Sequence, residues 1–317
     1  MIGCLNPRIK GKRVNPMRFR LSTDLTESIL GEIRSGMMVR LVCLTLPYSN
    51  YSLRRGLEGV ARAGYEYVGV GWPHEGGEVI GFEADGDAVE ACLLACQAFG
   101  LRPLVLGRGP VGEENPAEML KRRIDVALAL GAESIQMAGV CRYRRFPSEL
   151  LDEETFLTAH TKYVQEVRSA GEYAKGAGLV LALKPHTGNT ATAKHLASLL
   201  PEIGVSSIQA FYDPGNVHFY EGISPEEDFP LIVDSTFQIV AKDHRGEQAN
   251  NEFPIPGEGD VDFLRIFETA RQSGFSGPIV VERVNATVGP LTAEEIDELI
   301  LQARMNLTRL LKESGLT

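Results

Sequence analysis

No stretch of this chain approaches the ~18 consecutive apolar residues of a membrane span, so no membrane association is expected. The first residues lack the basic, then apolar, then small-residue order of a secretory signal. Cysteine is sparse. Cys4, Cys43, Cys92, Cys96 and Cys141 make an odd count without framework spacing, which argues against a disulfide-built fold and for a reducing, cytoplasmic setting. Cys92 and Cys96 could form a C-x3-C pair, but Ala91-Cys-Leu-Leu-Ala-Cys-Gln97 reads as an apolar helix face, so both are expected as buried thiols. An excess of basic residues is also missing. The formal net charge of −10 argues against a general nucleic-acid or anionic-membrane binder, while leaving room for an anionic substrate held by a local Lys/Arg cluster. Finally, the first strong strand is not followed by a G-x-G-x-x-G loop. Thr45-Leu-Pro-Tyr-Ser-Asn50 stands there instead, and no nucleotide cofactor is expected.

What is present is a strict alternation of strand-like and helix-like segments. Strands are expected near residues 39–46, 65–71, 101–106, 134–140, 179–183, 207–212, 237–241 and 278–281. Helices are expected near 51–64, 85–100, 116–131, 152–178 (bent near Ala170-Gly171), 191–204, 225–234, 261–274 and 292–314, several of them stopping on a glycine. Eight strands and eight crossovers imply a parallel sheet closed into a (β/α)8 barrel, with a doubly wound sheet as the competing architecture. The 317 residues and 44% hydrophobic content suffice for one such domain. Residues 1–36 are basic and Pro/Gly-punctuated up to Arg20. They then suggest a short amphipathic helix capped by Ser22 or Asp24, and read as an N-terminal extension to a barrel over 37–317.

Four strands end in charge: Val180-Leu-Ala-Leu-Lys-Pro-His-Thr-Gly-Asn189, Gln209-Ala-Phe-Tyr-Asp-Pro-Gly-Asn216, Ile239-Val-Ala-Lys-Asp-His-Arg-Gly246 and Pro278-Ile-Val-Val-Glu-Arg-Val284. Active sites of such barrels lie at the C-terminal ends of the strands. Strand alternation places Lys184 with His186, Asp213 with Phe211, Lys242 with Val240 and His244, and Glu282 with Val280; Asp243 and Arg283 take the opposite faces. If the first set points inward, Lys184, His186, Asp213, Lys242 or His244, and Glu282 line one pocket. Bland alternatives exist for most of them, though Glu282, a carboxylate ending a buried strand, has few. Asp213-Pro-Gly-Asn216 could be a tight turn, Lys184 a structural ion pair, and His186, His244 or His74 loop histidines bonding to backbone. His218 is a secondary candidate, and His160 and His195 fall inside helices. Gly257-Glu-Gly-Asp-Val-Asp-Phe263 has the wrong count for a phosphate loop and is expected to be structural, with Asp260 or Asp262 capping a helix.

These stretches, with Gly171-Glu-Tyr-Ala-Lys-Gly-Ala-Gly178 before them, resemble the xylose-isomerase-like TIM-barrel superfamily of sugar (phosphate) isomerases and epimerases, which also contains endonuclease IV. The resemblance runs from Met38 to the C-terminus. It implies a divalent cation (Mn, Zn or Mg) held by a Glu ending strand 5, an Asp ending strand 6, a His on strand 7 and a Glu ending strand 8. The carry-over assigns Asp213 and Glu282. The strand-5 Glu, however, is Lys184, the strand-7 His falls on Val240, and a Glu often found on strand 2 is Gly69. Two expectations follow. Either Lys184, whose single positive charge equals that of a divalent cation plus a carboxylate, replaces both and bridges Asp213 and Glu282, or a re-routed metal site uses Asp213, Glu282, His186 and His244.

The implied activity is proton transfer beside the carbonyl of a small carbohydrate, an isomerisation or epimerisation. Glu282, Lys184 and His186 would be catalytic, and Lys242, His244, His74 and His218 would contact substrate. The alternatives are a lyase or dehydratase acting on a keto sugar or glycoside, and a non-catalytic carbohydrate-binding barrel that has lost its metal. Expected partners reduce to the small-molecule substrate and, at most, a second copy of the chain.

Overall fold

Eight short runs rich in Val, Ile, Leu and Ala form the staves of a closed barrel in the computed structural model, which describes residues 39–77, 80–82, 84–109, 116–284 and 290–316. The strands are β1 (Leu41–Leu44), β2 (Tyr67–Val70), β3 (Arg102–Leu106), β4 (Ser134–Met137), β5 (Val180–Leu183), β6 (Ile208–Tyr212), β7 (Thr236–Ala241) and β8 (Ile279–Val281). Each pairs in parallel with its sequence neighbours, and β8 closes on β1 through Leu41↔Ile279 and Val42↔Val280. The helices are α1 (Leu53–Arg62), α2 (Gly86–Gln97), α3 (Pro116–Leu130), α4 (Glu153–Ala177), α5 (Ala193–Ile203), α6 (Pro214–Glu221), α7 (Phe263–Gln272) and α8 (Ala293–Ser314), one after each strand. This is the (β/α)8 barrel expected from the alternation. The expected extension over residues 1–36 lies outside the described residues.

Alternation along each strand splits the core in two. Val42, Leu44, Ala182, Phe211, Val240 and Val280 fill the barrel interior, while Cys43, Leu181, Leu183, Ile239, Ile279 and Val281 face the helices. A parallel strand buried on both faces needs apolar residues throughout, which is why these runs are continuous rather than alternating. Extending the inward series by two residues past each strand gives Lys184, Asp213, Lys242 and Glu282. Gly69 belongs to the same crowded interior, since a Cβ there would collide with Leu44.

Local signals set the helix ends. Ser52, Asp85, Asp152, Thr192, Asp213, Asp262 and Thr292 each accept a backbone N–H in the first turn of the following helix. Three expectations are revised. The helix after β6 begins at once, with Asp213 as N-cap and Pro214 at the first helical position, and the region expected to be helical over 225–234 is a single turn, Pro225–Asp228, followed by 3-10 turns. Helix α4 runs unbroken through Ala170-Gly171. Gly171 serves packing, because a Cβ there would press on Ile208 and Val205. The loop after β4 carries a small antiparallel hairpin, Tyr143–Arg145 with Glu149–Leu150.

Cys92 and Cys96 are buried on α2 as unpaired thiols. Among the described residues no helix is long and apolar enough to cross a membrane.

Candidate active site

Four ionisable side chains from four consecutive strands meet at the C-terminal end of the barrel. The Lys184 ammonium donates to both oxygens of Glu282, at 2.7 and 2.6 Å, and lies 3.1 Å from Asp213 Oδ2. The Lys242 ammonium donates to Asp213 Oδ2 at 2.7 Å, to Asn216 Oδ1 at 2.6 Å and to Glu282 Oε1 at 3.2 Å. Exposure is 7% for Lys184, 2% for Lys242, 0% for Asp213 and 5% for Glu282, so all four charges are removed from water. Desolvation at this depth costs several kcal/mol per ion, and only close mutual pairing offsets it.

Burial sets each titration and the neighbours then decide its sign. Burial opposes the Lys184 charge, but Glu282 and Asp213 outweigh it and hold the ammonium above the ordinary lysine range. Lys242 is more deeply placed and repelled by Lys184, so burial prevails and its pKa falls below the ordinary value despite the same carboxylates. Burial would raise Glu282, but Lys184 and Lys242 overcome it and hold the carboxyl well below the usual range.

The surroundings fix this cluster. Asp213 Oδ1 accepts the Asn216 N–H at 2.9 Å, and Asn216 Nδ2 donates to Pro185 O at 2.6 Å, tying α6 to the end of β5. Gln136 Nε2 reaches Glu282 Oε2 at 3.5 Å, while Gln136 Oε1 is buried without a partner. The donor end of the amide must face the carboxylate, which fixes the orientation. His186 Nε2 is 2.8 Å from the Tyr220 hydroxyl, and His186 Nδ1 is buried and unpartnered. Burial, then Lys184 and Lys242, lowers His186 to about 4, so it is neutral at pH 7. Burial raises Tyr220 to about 12, so its hydroxyl keeps its proton. Phe146 of the hairpin packs on Tyr220 with ring centroids 4.9 Å apart, which walls this side.

The remaining expected residues are placed elsewhere or fully engaged. His74 Nδ1 faces the Tyr48 and Tyr51 carbonyls, both at 3.1 Å, and Nε2 faces the Thr45 hydroxyl at 3.0 Å. The ring therefore donates from Nδ1, accepts at Nε2, and braces the loops after β1 and β2. His244 Nε2 donates to Asn250 O at 2.6 Å, which leaves Nδ1 to accept from His218 Nδ1 at 2.8 Å. These two histidines form a pair beside the Lys242 cluster and not within it. Asp243, on the outward face, accepts N–H groups from His244, Gly257, Gly259 and Val261 at 2.8 to 3.1 Å. This explains Gly257-Glu-Gly-Asp260 as a structural loop. A Cβ on Gly259 would collide with the Asp243 carboxylate. Asp262 caps α7, and Asp260 accepts the Gly246 N–H at 2.7 Å.

A divalent cation does not fit this donor set. The Asp213 and Glu282 oxygens turned toward the centre are occupied by two ammonium groups, Lys184 stands where the resemblance calls for a carboxylate ligand, and both His244 nitrogens are engaged. Among the described residues no three His, Cys, Asp or Glu side chains converge as a metal site. Lys184 instead bridges Asp213 and Glu282.

Sequence reasoning missed several contributors. Gln136 shares its strand face with Ser134, whose inward hydroxyl meets Gln238 at 3.1 Å, so strand parity could have found it. Asn216 and Tyr220 are four residues apart on α6 and share a face, a pattern visible once Asp213-Pro214 is read as a helix start.

The comparisons agree with this architecture. The family model described as xylose isomerase-like TIM barrel matches residues 57–304. An inosose dehydratase of Lacticaseibacillus casei is 25% identical over 190 residues, 54% of this chain and 63% of that protein. The L-ribulose-5-phosphate 3-epimerase UlaE of Escherichia coli (strain K12 / DH10B) is 27% identical over 198 residues, 59% of this chain and 64% of that protein. Each match thus spans less than two thirds of the curated relative. Among solved structures, a xylose isomerase domain protein from Alicyclobacillus acidocaldarius subsp. acidocaldarius superposes with a TM-score of 0.67 at 17% identity, covering 87% of this chain and 99% of that one. With an eight-stranded parallel barrel and the family model covering most of its length, the chain belongs to the xylose isomerase-like TIM-barrel family.

Proposed function

We propose that the protein is an isomerase or epimerase of a small keto sugar or sugar derivative, and that it moves a proton beside the carbonyl without a metal ion. The observation that carries this reading is the Lys184–Glu282 pair. A carboxylate that can take a C–H proton lies 2.6 to 2.7 Å from an ammonium that can hold the oxygen of the resulting enolate. The similarity to an epimerase and to a dehydratase supports the same first step.

The resting geometry adds a requirement. Glu282 Oε1 is bonded by Lys184 and Lys242, and Oε2 by Lys184 with Gln136 beyond, so the base is masked. Lys242 is held by three acceptors, whereas Lys184 is the more exposed of the two and bonds to carboxylates alone. A substrate carbonyl oxygen that draws Lys184 toward itself unmasks Glu282 Oε2, while Lys242 stays on Oε1, and supplies the electrophile in one movement. Glu282 then takes the proton on the carbon beside the carbonyl, and the C–H electron pair moves into the enolate whose oxygen Lys184 holds. A proton delivered to the opposite face from the Tyr220 hydroxyl, with Glu282 giving its proton to solvent, yields the epimer; Glu282 returning its proton to the neighbouring carbon, as the hydroxyl proton there passes to the former carbonyl oxygen, yields the isomer.

A second reading, dehydration of a keto sugar or keto-cyclitol, is favoured by one observation. Asp213 has no exposed surface and holds both lysines and the Asn216 N–H, so one carboxylate faces the reacting carbon instead of two. Here the enolate would expel a neighbouring hydroxyl as water, with the leaving oxygen protonated from the Tyr220–His186 pair.

The test is a panel of ketoses, their phosphates, keto-cyclitols and 3-keto glycosides, with and without Mn²⁺, run in deuterated water on wild type and Glu282→Gln. Deuterium in product from wild type, with turnover lost and ligand affinity retained in Glu282→Gln, supports proton transfer. Undiminished turnover in the variant rejects it.

A further inference from the structure

We propose that Arg283 anchors an anionic substituent of the substrate, a phosphate or carboxylate, at the mouth of this site. The inference rests on the keto-sugar reading above and specifies the substrate class. The central cluster gives an anion no net attraction, because the Lys184 and Lys242 charges are cancelled by Asp213 and Glu282. Lys242 and His244, expected to contact substrate, have no donor left. The three Lys242 protons meet Asp213, Asn216 and Glu282, and both His244 nitrogens are engaged. Arg245, on the same face, is neutralised by Glu252 at 2.6 Å.

Arg283 differs from all of these. It directly follows Glu282 at the end of β8, is half-buried, and lays its guanidinium 4.3 Å from the centroid of Phe253, with no ion pair or hydrogen bond among the described residues. Phe253 is 3% exposed and packs on His244 and Phe219, so the platform is rigid. Its loop is pinned by Asn250 O on His244 and by the Arg245–Glu252 backbone bond. Stacking on a ring leaves the planar N–H edge of a guanidinium open, the edge that meets a phosphate or carboxylate in bidentate fashion. A platform ordered beforehand spares the entropy of fixing a long side chain on binding. The Lys242 ammonium lies 5.9 Å from the same ring centroid, so the guanidinium and the edge of the catalytic cluster are no more than about 10 Å apart. A keto sugar carrying a terminal anion can span that distance from Arg283 to the Lys242 edge of the cluster.

The experiment compares wild type, Arg283→Gln and Arg283→Lys on matched substrates: a ketose, its terminal phosphate and the corresponding keto sugar acid. Binding of inorganic phosphate is measured by calorimetry in parallel. Because Arg283 has no hydrogen-bond partner among the described residues, both variants should melt with wild type. Arg283→Gln should lower kcat/KM on the anionic substrate roughly 10- to 100-fold through KM, leave the neutral ketose unchanged, and weaken phosphate binding at least tenfold. Arg283→Lys should retain part of each. The arm that loses more, phosphate or sugar acid, identifies the anion. Equal loss on neutral and anionic substrates, or phosphate binding unaffected by Arg283→Gln, overturns the proposal. If no keto sugar turns over but phosphate binding still depends on Arg283, the reaction reading fails and the anion subsite stands.

Discussion

Lys242 and Asp243 are neighbours at the end of β7, both charged and both buried, yet they serve different ends. Lys242 faces inward and joins a cluster of opposite charges whose partners a ligand can rearrange. Asp243 faces outward and spends its carboxylate on four backbone N–H groups of a loop, an arrangement a ligand has no means of entering. Burial pulls both toward neutrality, lowering Lys242 and raising Asp243. Burial and a shifted titration therefore do not by themselves identify chemistry. The side of the strand does, because the inward side leads to the substrate and the outward side to the scaffold.

That comparison can be tested by breaking each side. The largest effect is expected inside. Lys184→Met should reduce turnover roughly a hundred- to ten-thousandfold, the range for loss of a positioned acid–base or electrostatic group. Its kinetics should show a carboxylate ionisation that wild type suppresses, because Lys184 is the leading charge holding Glu282 down. Asp243→Ala should act on stability instead. A network of charge-assisted bonds to a buried carboxylate is worth about 3–5 kcal/mol when broken. Denaturant melts should show that loss, and hydrogen exchange should rise over residues 257–261.

Acid titration sharpens the contrast. The folded His186 pKa is depressed to about 4 from 6.5, so its contribution is present above 6.5 and is lost as pH falls from 6.5 to 4. Glu282 is also depressed, and its contribution fades at still lower pH. Asp243 works in the opposite direction. Its folded pKa is raised, so the contribution is present below the unfolded value and lost as pH rises. A stability–pH profile of His186→Asn should be flatter than wild type between pH 6.5 and 4. The smallest effect belongs to His74→Gln, which removes part of a loop brace. It should cost about 1–2 kcal/mol in a melt and leave kcat within a few-fold of wild type.

Much of this was legible in the sequence, for reasons the structure makes plain. Strands buried on both faces must be continuously apolar, so Val180–Leu183 and Ile279–Val281 stand out, and the period of two carries inward from Ala182 to Lys184 and from Val280 to Glu282. The start of α6 was obscured because Asp-Pro-Gly-Asn suits both a tight turn and a capped first helical turn, and only the chain beyond decides. The histidines could not be sorted in advance. Whether a ring is spent on backbone, as at His74 and His244, or keeps a free nitrogen, as at His186, depends on loops distant in sequence. Arg283 was assigned to the face away from Glu282 by parity. Its contact with Phe253, thirty residues earlier, is one that strand parity has no means of anticipating.

The central claim is that the Lys184 ammonium does the work that a cation would otherwise do beside Glu282. The most direct measurement is exchange of the proton beside a keto-sugar carbonyl into deuterated water, followed by NMR, with protein treated exhaustively with chelator. The account predicts exchange at an undiminished rate after chelation, abolished by Glu282→Gln and by Lys184→Met. Exchange that disappears on chelation and returns with stoichiometric Mn²⁺ would contradict it.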